Sequence, residues 1–121
     1  MKVGYVVLYV QDEEASLDFW TKKIGLKVKD SKEAAGFTIR QVGFADQDFS
    51  FELVPLKFME TFEHGMSLGA PSIAFRTPDL EKMRVDLLSR GVTATEISSH
   101  FGVDSFAFSD DAGSWFAVIK E

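Results

Sequence analysis

Residues 3–10 read VGYVVLYV, β-branched and aromatic throughout, without the polar alternation of a half-exposed strand. The run predicts a strand covered on both faces. Asp12 then offers a helix N-cap, and Glu13 and Glu14 suit the positive end of the helix dipole. Leu17, Trp20 and Ile24 recur at helical spacing with Phe19 widening the stripe, so a helix is expected to about Lys23, stopped by Gly25. Three strand-like runs follow at residues 26–29, 36–42 and 49–54. The polar stretches Asp30-Ser31-Lys32 and Asp46-Gln47-Asp48 read as the turns between them.

Residues 55–70 break the pattern. With Pro55, Gly65 and Gly69 among scattered apolar residues, they read as a connector holding about one helical turn. Residues 71–77 form another strand, and Pro78-Asp79 caps a second helix. That helix is expected to bury Leu80, Met83, Leu87 and Leu88 and to end at Gly91. Strands at residues 92–97, 103–108 and 115–120 complete the chain, the last two joined by the turn Asp110-Asp111-Ala112-Gly113.

The two halves repeat. Tyr5 to Asp12 aligns without gaps on Ser72 to Asp79, an offset of 67, and Gly25 and Gly91 lie 66 apart. Phe44-Ala45-Asp46 matches Phe108-Ser109-Asp110 at 64, and Phe51-Glu52-Leu53-Val54 matches Phe116-Ala117-Val118-Ile119 at 65. The order βαβββ therefore occurs twice within one α+β domain, residues 1–121. The first module covers residues 1–55, the connector 56–70 and the second module 71–121.

Composition narrows the function classes. A chain of 121 residues is the size of one domain, and its twelve Phe imply a generous core, an aromatic-lined cavity, or both. The absence of Cys removes disulfides, thiolate nucleophiles and thiolate metal sites, and fits a reducing cytoplasm. No window is apolar enough for a membrane span, and the N-terminus enters a strand pattern without a signal-peptide core. Acids outnumber bases 19 to 13, for a net charge of −6, and the bases are scattered. Nucleic acid, which needs clustered Lys and Arg, is not an expected partner.

Several stretches, in this order, resemble the vicinal-oxygen-chelate superfamily of glyoxalase I, fosfomycin- and bleomycin-resistance proteins and extradiol dioxygenases. They are Val10-Gln11-Asp12 through Phe19-Trp20 to Ile24-Gly25-Leu26, then Ile73-Ala74-Phe75-Arg76 with Pro78-Asp79-Leu80, and the hairpin from Ser109 to Trp115. The resemblance implies two βαβββ modules forming a curved mixed sheet around a cleft with helices outside, and commonly a homodimer. It also implies one divalent metal held by four side chains, usually His and Glu, one from each of four strands. Those positions fall on Tyr5, Glu52, Ser72 and Ala117, of which only Glu52 is an ordinary ligand. A transition metal needs three or four converging nitrogen or carboxylate donors. No metal ligand and no cofactor are therefore expected here, while a non-standard metal site using His64, in the connector, or His100, in a polar turn-like segment, stays open.

Strand alternation outlines the cleft face. If Tyr5 faces it, so do Val7 and Tyr9. Ser72, Ala74 and Arg76 share that face in the second module, as do Ser50, Glu52 and Val54 in the fourth strand and Trp115, Ala117 and Ile119 in the last. Tyr5, Val7, Glu52, Ser72, Arg76, Trp115 and Ala117 are thus the candidate ligand-binding residues. Glu52 sits in a strongly apolar strand, where it either pairs with Arg40 or Arg76 or acts as a desolvated carboxylate, hydrogen-bonding a ligand or serving as a catalytic base. Arg76 could grip an anionic group, and Tyr5, Tyr9 and Trp115 could stack on a planar one. The expected function is metal-free binding of a small organic ligand. The alternative is a lyase or dioxygenase-like enzyme working through Glu52 or a non-standard metal site.

Overall fold

β1 (Val6–Val10) pairs in parallel with β4 (Phe51–Pro55), and β4 continues antiparallel to β3 (Phe37–Gly43) and β2 (Lys27–Ala34), giving the order β1-β4-β3-β2. In the computed structural model, which describes all residues from Met1 to Glu121, this sheet belongs to the first of two compact units, Met1–Pro71 and Ser72–Glu121. The second unit repeats the order as β5-β8-β7-β6, from β5 (Ala74–Thr77), β6 (Ser98–His100), β7 (Val103–Ser109) and β8 (Trp115–Lys120). Each unit inserts one helix after its first strand, α1 (Glu13–Asp18) or α3 (Leu80–Ser89), so the doubled βαβββ order of an α+β fold is present.

The repeat extends to register. Val7 lies opposite Glu52 on β1–β4 as Ala74 lies opposite Ala117 on β5–β8. On the antiparallel side Gln41 faces Glu52 as Ala107 faces Ala117. The helix starts are equivalent too: Asp12 Oδ1 accepts the Ala15 N–H at 3.0 Å and Asp79 Oδ1 the Lys82 N–H at 3.0 Å. Gly25 and Gly91 end the helical segments at φ +95° and +80°, where a side chain would strain the backbone.

Side-chain alternation divides each sheet. In the first unit Leu8, Val10, Val42, Phe51 and Leu53 are buried. Trp20 packs among them, 5.2 Å from the Phe51 ring and edge-on to Phe19 at 5.2 Å. After Asp18 the helix widens into a π turn over Phe19–Lys23, closed by the Ile24 N–H to the Phe19 carbonyl. The wider turn goes with the burial of two adjacent rings, Phe19 and Trp20. Burial of each such large apolar side chain contributes roughly 1.5–3 kcal/mol. The second unit stacks Phe108 on Phe116 at 5.7 Å, with Phe75 tilted against Phe108 at 5.7 Å, and buries Leu80 and Leu87 of α3.

Four expectations need correction. Asp30-Ser31-Lys32 is not a turn: it lies inside β2, which runs on to Ala34 past a bulge between Val28 and Asp30. β2 is an edge strand exposed along nearly its whole length, and edge strands carry charge to discourage further pairing, so its composition mimics a turn. The turn itself is Ala35-Gly36, with φ +51° and +81°. Residues 92–97 form no strand beyond one bridge from Ala94 to Phe108, because the Ala107 N–H goes to Thr95 Oγ1 rather than to a main-chain carbonyl. The ladder resumes only at β6, which places His100 in a strand rather than a turn. Leu88, finally, is exposed instead of buried on α3.

Candidate functional site

The face of the first sheet turned away from α1 carries the side chains of alternate residues, arranged in rows across the strands. One row runs Val7, Glu52, Gln41, set by the β1–β4 and β3–β4 registers. The neighbouring row runs Tyr9 beside Val54 on β1–β4 and Ile39 beside Lys32 on β3–β2. Ile39 and Val54 are buried with Met59 of α2 (Leu56–Met59), and Val7, Tyr9, Ala34 and Phe58 pack against that cluster. The face thus passes from an apolar end covered by the start of the connector to a polar row centred on Glu52.

Glu52 is 6 % exposed. Its Oε2 accepts a hydrogen bond from Gln41 Nε2 at 3.0 Å and lies 3.7 Å from Lys32 Nζ. Both contacts fall on the same oxygen. No buried side-chain oxygen or nitrogen of the chain lacks a partner, so Oε1, which accepts no hydrogen bond from the protein, has access to solvent. The expected pairing with Arg40 does not occur. Arg40 points to the other face, where it binds Glu13 at 3.0 Å and Glu14 at 3.7 Å. Burial pushes the Glu13 carboxyl above its ordinary value, while the Arg40 charge pulls it back.

Beyond α2 the connector adds aromatic and thioether surface. Phe58 meets Phe37 at 6.0 Å and Phe62 at 5.4 Å, edge to face, and Phe62 meets the His64 ring at 5.7 Å. Tyr9 OH donates to Met66 Sδ at 3.7 Å, and His64 Nδ1 accepts the Met66 N–H at 3.2 Å. His64 is therefore tied to its own loop. His100 Nε2 lies 3.1 Å from Ser98 Oγ in β6.

Of the candidate residues in this unit, Val7 and Glu52 are cross-strand neighbours, and Tyr5 lies just ahead of β1, exposed. In the second unit the equivalent row is Ala74, Ala117, Ala107, three methyl groups in place of Val7, Glu52 and Gln41. Trp115 and Arg76 are exposed on β8 and β5, and Ser72 is exposed ahead of β5. Alternation had not singled out Gln41 or Lys32. Gln41 was findable, because it shares strand parity with Ile39 and stands in the repeat where Ala107 stands. Lys32 was hidden by the misread turn.

Residues 2–118 match the Glyoxalase/Bleomycin resistance protein/Dioxygenase superfamily. The chain belongs to that superfamily. The protein YurT of Bacillus subtilis (strain 168), itself uncharacterized, is 29% identical over 132 residues, covering 100% of both chains. A superfamily member from Sphaerobacter thermophilus DSM 20745 matches in structure with a TM-score of 0.82 at 25% identity, covering 100% of this chain and 98% of that one. TnmS3, an antibiotic binding protein from Streptomyces sp. CB03234, shares the fold with a TM-score of 0.80 at 20% identity, over 99% of this chain and 95% of its own. No helix is long and apolar enough to cross a membrane.

The divalent metal implied by the resemblance requires a donor set that these residues do not provide. No three His, Asp or Glu side chains are placed together so that they could hold a metal ion. At the four positions implied by the resemblance, Tyr5 offers a phenol, Ser72 a hydroxyl and Ala117 nothing. The remaining carboxylate, Glu52, is already engaged by Gln41 and Lys32. A divalent ion prefers several nitrogen or carboxylate ligands, and this set does not fit it.

Proposed function

We propose that the protein is a metal-free ligand-binding member of its superfamily, taking a small organic molecule on the sheet face that carries Glu52. The observation that carries this reading is the pairing of Oε2 with Gln41 and Lys32 while Oε1 stays open beside a largely apolar face. Ligand sites characteristically combine apolar walls with a few fixed polar groups. Tyr5 and Val7 would flank the ligand near Glu52. Within the second unit, Ser72, Arg76, Trp115 and Ala117 are the corresponding candidate ligand contacts. The antibiotic-binding character of TnmS3 supports a small organic ligand. The homodimer implied by the resemblance and the cytoplasmic location expected from the absence of Cys belong to the same reading, and light scattering measures the first.

Two measurements test it. Elemental analysis of protein purified without a His tag should find no stoichiometric transition metal after dialysis; one metal per chain would overturn the metal-free part. A thermal-shift screen of planar organic compounds should give saturable stabilisation that weakens in Val7→Trp, a variant whose ring fills the face beside Glu52. Stabilisation unaffected by that substitution would put the ligand elsewhere.

A second reading, a lyase or dioxygenase-like enzyme, is favoured by the same open oxygen, since a buried carboxylate with one free acceptor can take a proton from a bound substrate. It predicts turnover that collapses in Glu52→Gln while the fold survives. Turnover retained in that variant would remove this reading.

A further inference from the structure

We infer that the ligand of the Glu52 face is an organic cation, whose ammonium group displaces Lys32 from the carboxylate. The inference rests on the ligand-binding reading above and specifies its chemistry. A carboxylate this buried needs compensation, because an unpaired charge in an apolar setting is costly. Gln41 supplies a neutral hydrogen bond at 3.0 Å, and the compensating charge comes from Lys32. That charge is held loosely. Lys32 Nζ stands 3.7 Å from Oε2, beyond hydrogen-bond reach, and its side chain is 53 % exposed against 7 % for that of Glu52. The lysine extends from edge strand β2, from the neighbouring row, on a long flexible stem. Nothing else in the structure anchors its ammonium.

A ligand ammonium can do what Lys32 does not. Approaching the open Oε1, it can form a short charge-assisted hydrogen bond with a carboxylate that is itself largely buried. The exchange is one positive charge for another, so at no stage is Glu52 left uncompensated. Lys32 then swings out to solvent at little cost, being half there already. An anionic ligand would face the carboxylate directly. A neutral hydroxyl would gain a hydrogen bond without being able to replace the charge. The partly exposed side chains of Val7 and Tyr9 beside Glu52 give the body of the cation an apolar surface.

The probe set is benzylamine, benzyl alcohol and benzoate, matched in size and differing in charge. Binding is followed by calorimetry and by the side-chain amide resonance of Gln41. Benzylamine is expected to bind at least tenfold more tightly than benzyl alcohol, with benzoate weakest, and to shift the Gln41 signal. Lys32→Met keeps the apolar stem and removes the competing charge, and should tighten benzylamine binding several-fold. Glu52→Gln should erase the preference for the amine. Equal binding of amine and alcohol, or weaker amine binding in Lys32→Met, would overturn the cation assignment while leaving the ligand face intact. If none of the three probes moves the Gln41 resonance, the cation assignment and the location of the ligand fall together.

Discussion

Gln41 stands directly across the β3–β4 ladder from Glu52 and donates from Nε2 to its Oε2 at 3.0 Å. Removing the donor alone leaves a buried carboxylate supported only by the distant Lys32. Gln41→Leu is therefore expected to lower unfolding stability by about 1–3 kcal/mol. Replacing both members, in Gln41→Leu with Glu52→Leu, should recover most of that loss, because apolar groups leave no unsatisfied partner behind. Urea denaturation of the single and double variants measures the coupling. A single variant as stable as the wild type would mean the pair contributes nothing.

Gly43 ends β3 where the following loop folds back over it. A Cβ built there would collide with the Phe49 carbonyl oxygen, a main-chain atom that cannot move aside cheaply. Gly43→Ala should cost about 1–3 kcal/mol. Gly4→Ala is the control, since nothing lies within 4 Å of its added carbon, and it should change stability by less than about 0.5 kcal/mol. Equal melting temperatures for the two variants would contradict the close approach.

The tip of the β6–β7 hairpin puts Phe101 at φ +54°, ahead of Gly102 at +77°, with its ring fully exposed. The left-handed region costs a bulky residue on the order of 1 kcal/mol, and Asn-Gly is the preferred pair for such a turn. Phe101→Asn is expected to raise the melting temperature by a few degrees, equivalent to about 0.5–1 kcal/mol. A fall would show that the ring makes a stabilising contact in solution.

Asp110 organises the last hairpin, its Oδ1 accepting the Ala112 N–H at 3.0 Å and the Ser114 N–H at 2.8 Å. Burial pushes its carboxyl above the ordinary value, and the backbone N–H groups oppose the shift. A carboxyl raised on folding contributes stability at low pH that is lost as pH rises through its folded value. Asp110→Asn keeps an acceptor oxygen and carries no charge. Its stability relative to wild type should therefore improve as pH climbs from 3.8, the ordinary aspartate value. Asp110→Ala also loses both acceptor contacts, and should lie about 1 kcal/mol below Asp110→Asn at every pH. Denaturation midpoints across an acid series would show both trends. An Asn variant that loses ground as pH rises would reverse the sign.

Much of this architecture was legible in the residues because the two halves carry the same information twice. Asp12 and Asp79 cap equivalent helices, and Gly25 and Gly91 end them in the left-handed region. Ala35-Gly36 and Phe101-Gly102, again 66 apart, turn equivalent hairpins. That last correspondence was available in the repeat and would have corrected the turn assigned to residues 30–32. What stayed hidden was local. An edge strand and a turn are both polar, and only pairing partners distinguish Lys32 in β2 from Lys32 in a loop. Residues 92–97 look like a strand because β-branched residues suit one, yet a single threonine hydroxyl takes the ladder amide of Ala107. At the site, Glu52 could be located by alternation. Its choice of Gln41 over Arg40 depends on which face each side chain takes, and that is a matter of parity in β3.

The shared register of Val7, Glu52 and Gln41 with Ala74, Ala117 and Ala107 bears on how such a chain can change over generations. Identical pairing is kept where one row holds a charge and the other only methyl groups, so the chemistry of that row does not set the pairing. The rings of Phe51 and Phe116, one residue earlier and on the opposite face, lie in the buried interiors of their units. Alternation thus separates two inheritances along a single strand. Odd-numbered Phe51 and Leu53 answer to the core, while Glu52 between them answers to Gln41 and the open face. A repeated half of this kind can exchange its reactive row, Glu52 together with Gln41, while the packed face behind it stays as it is.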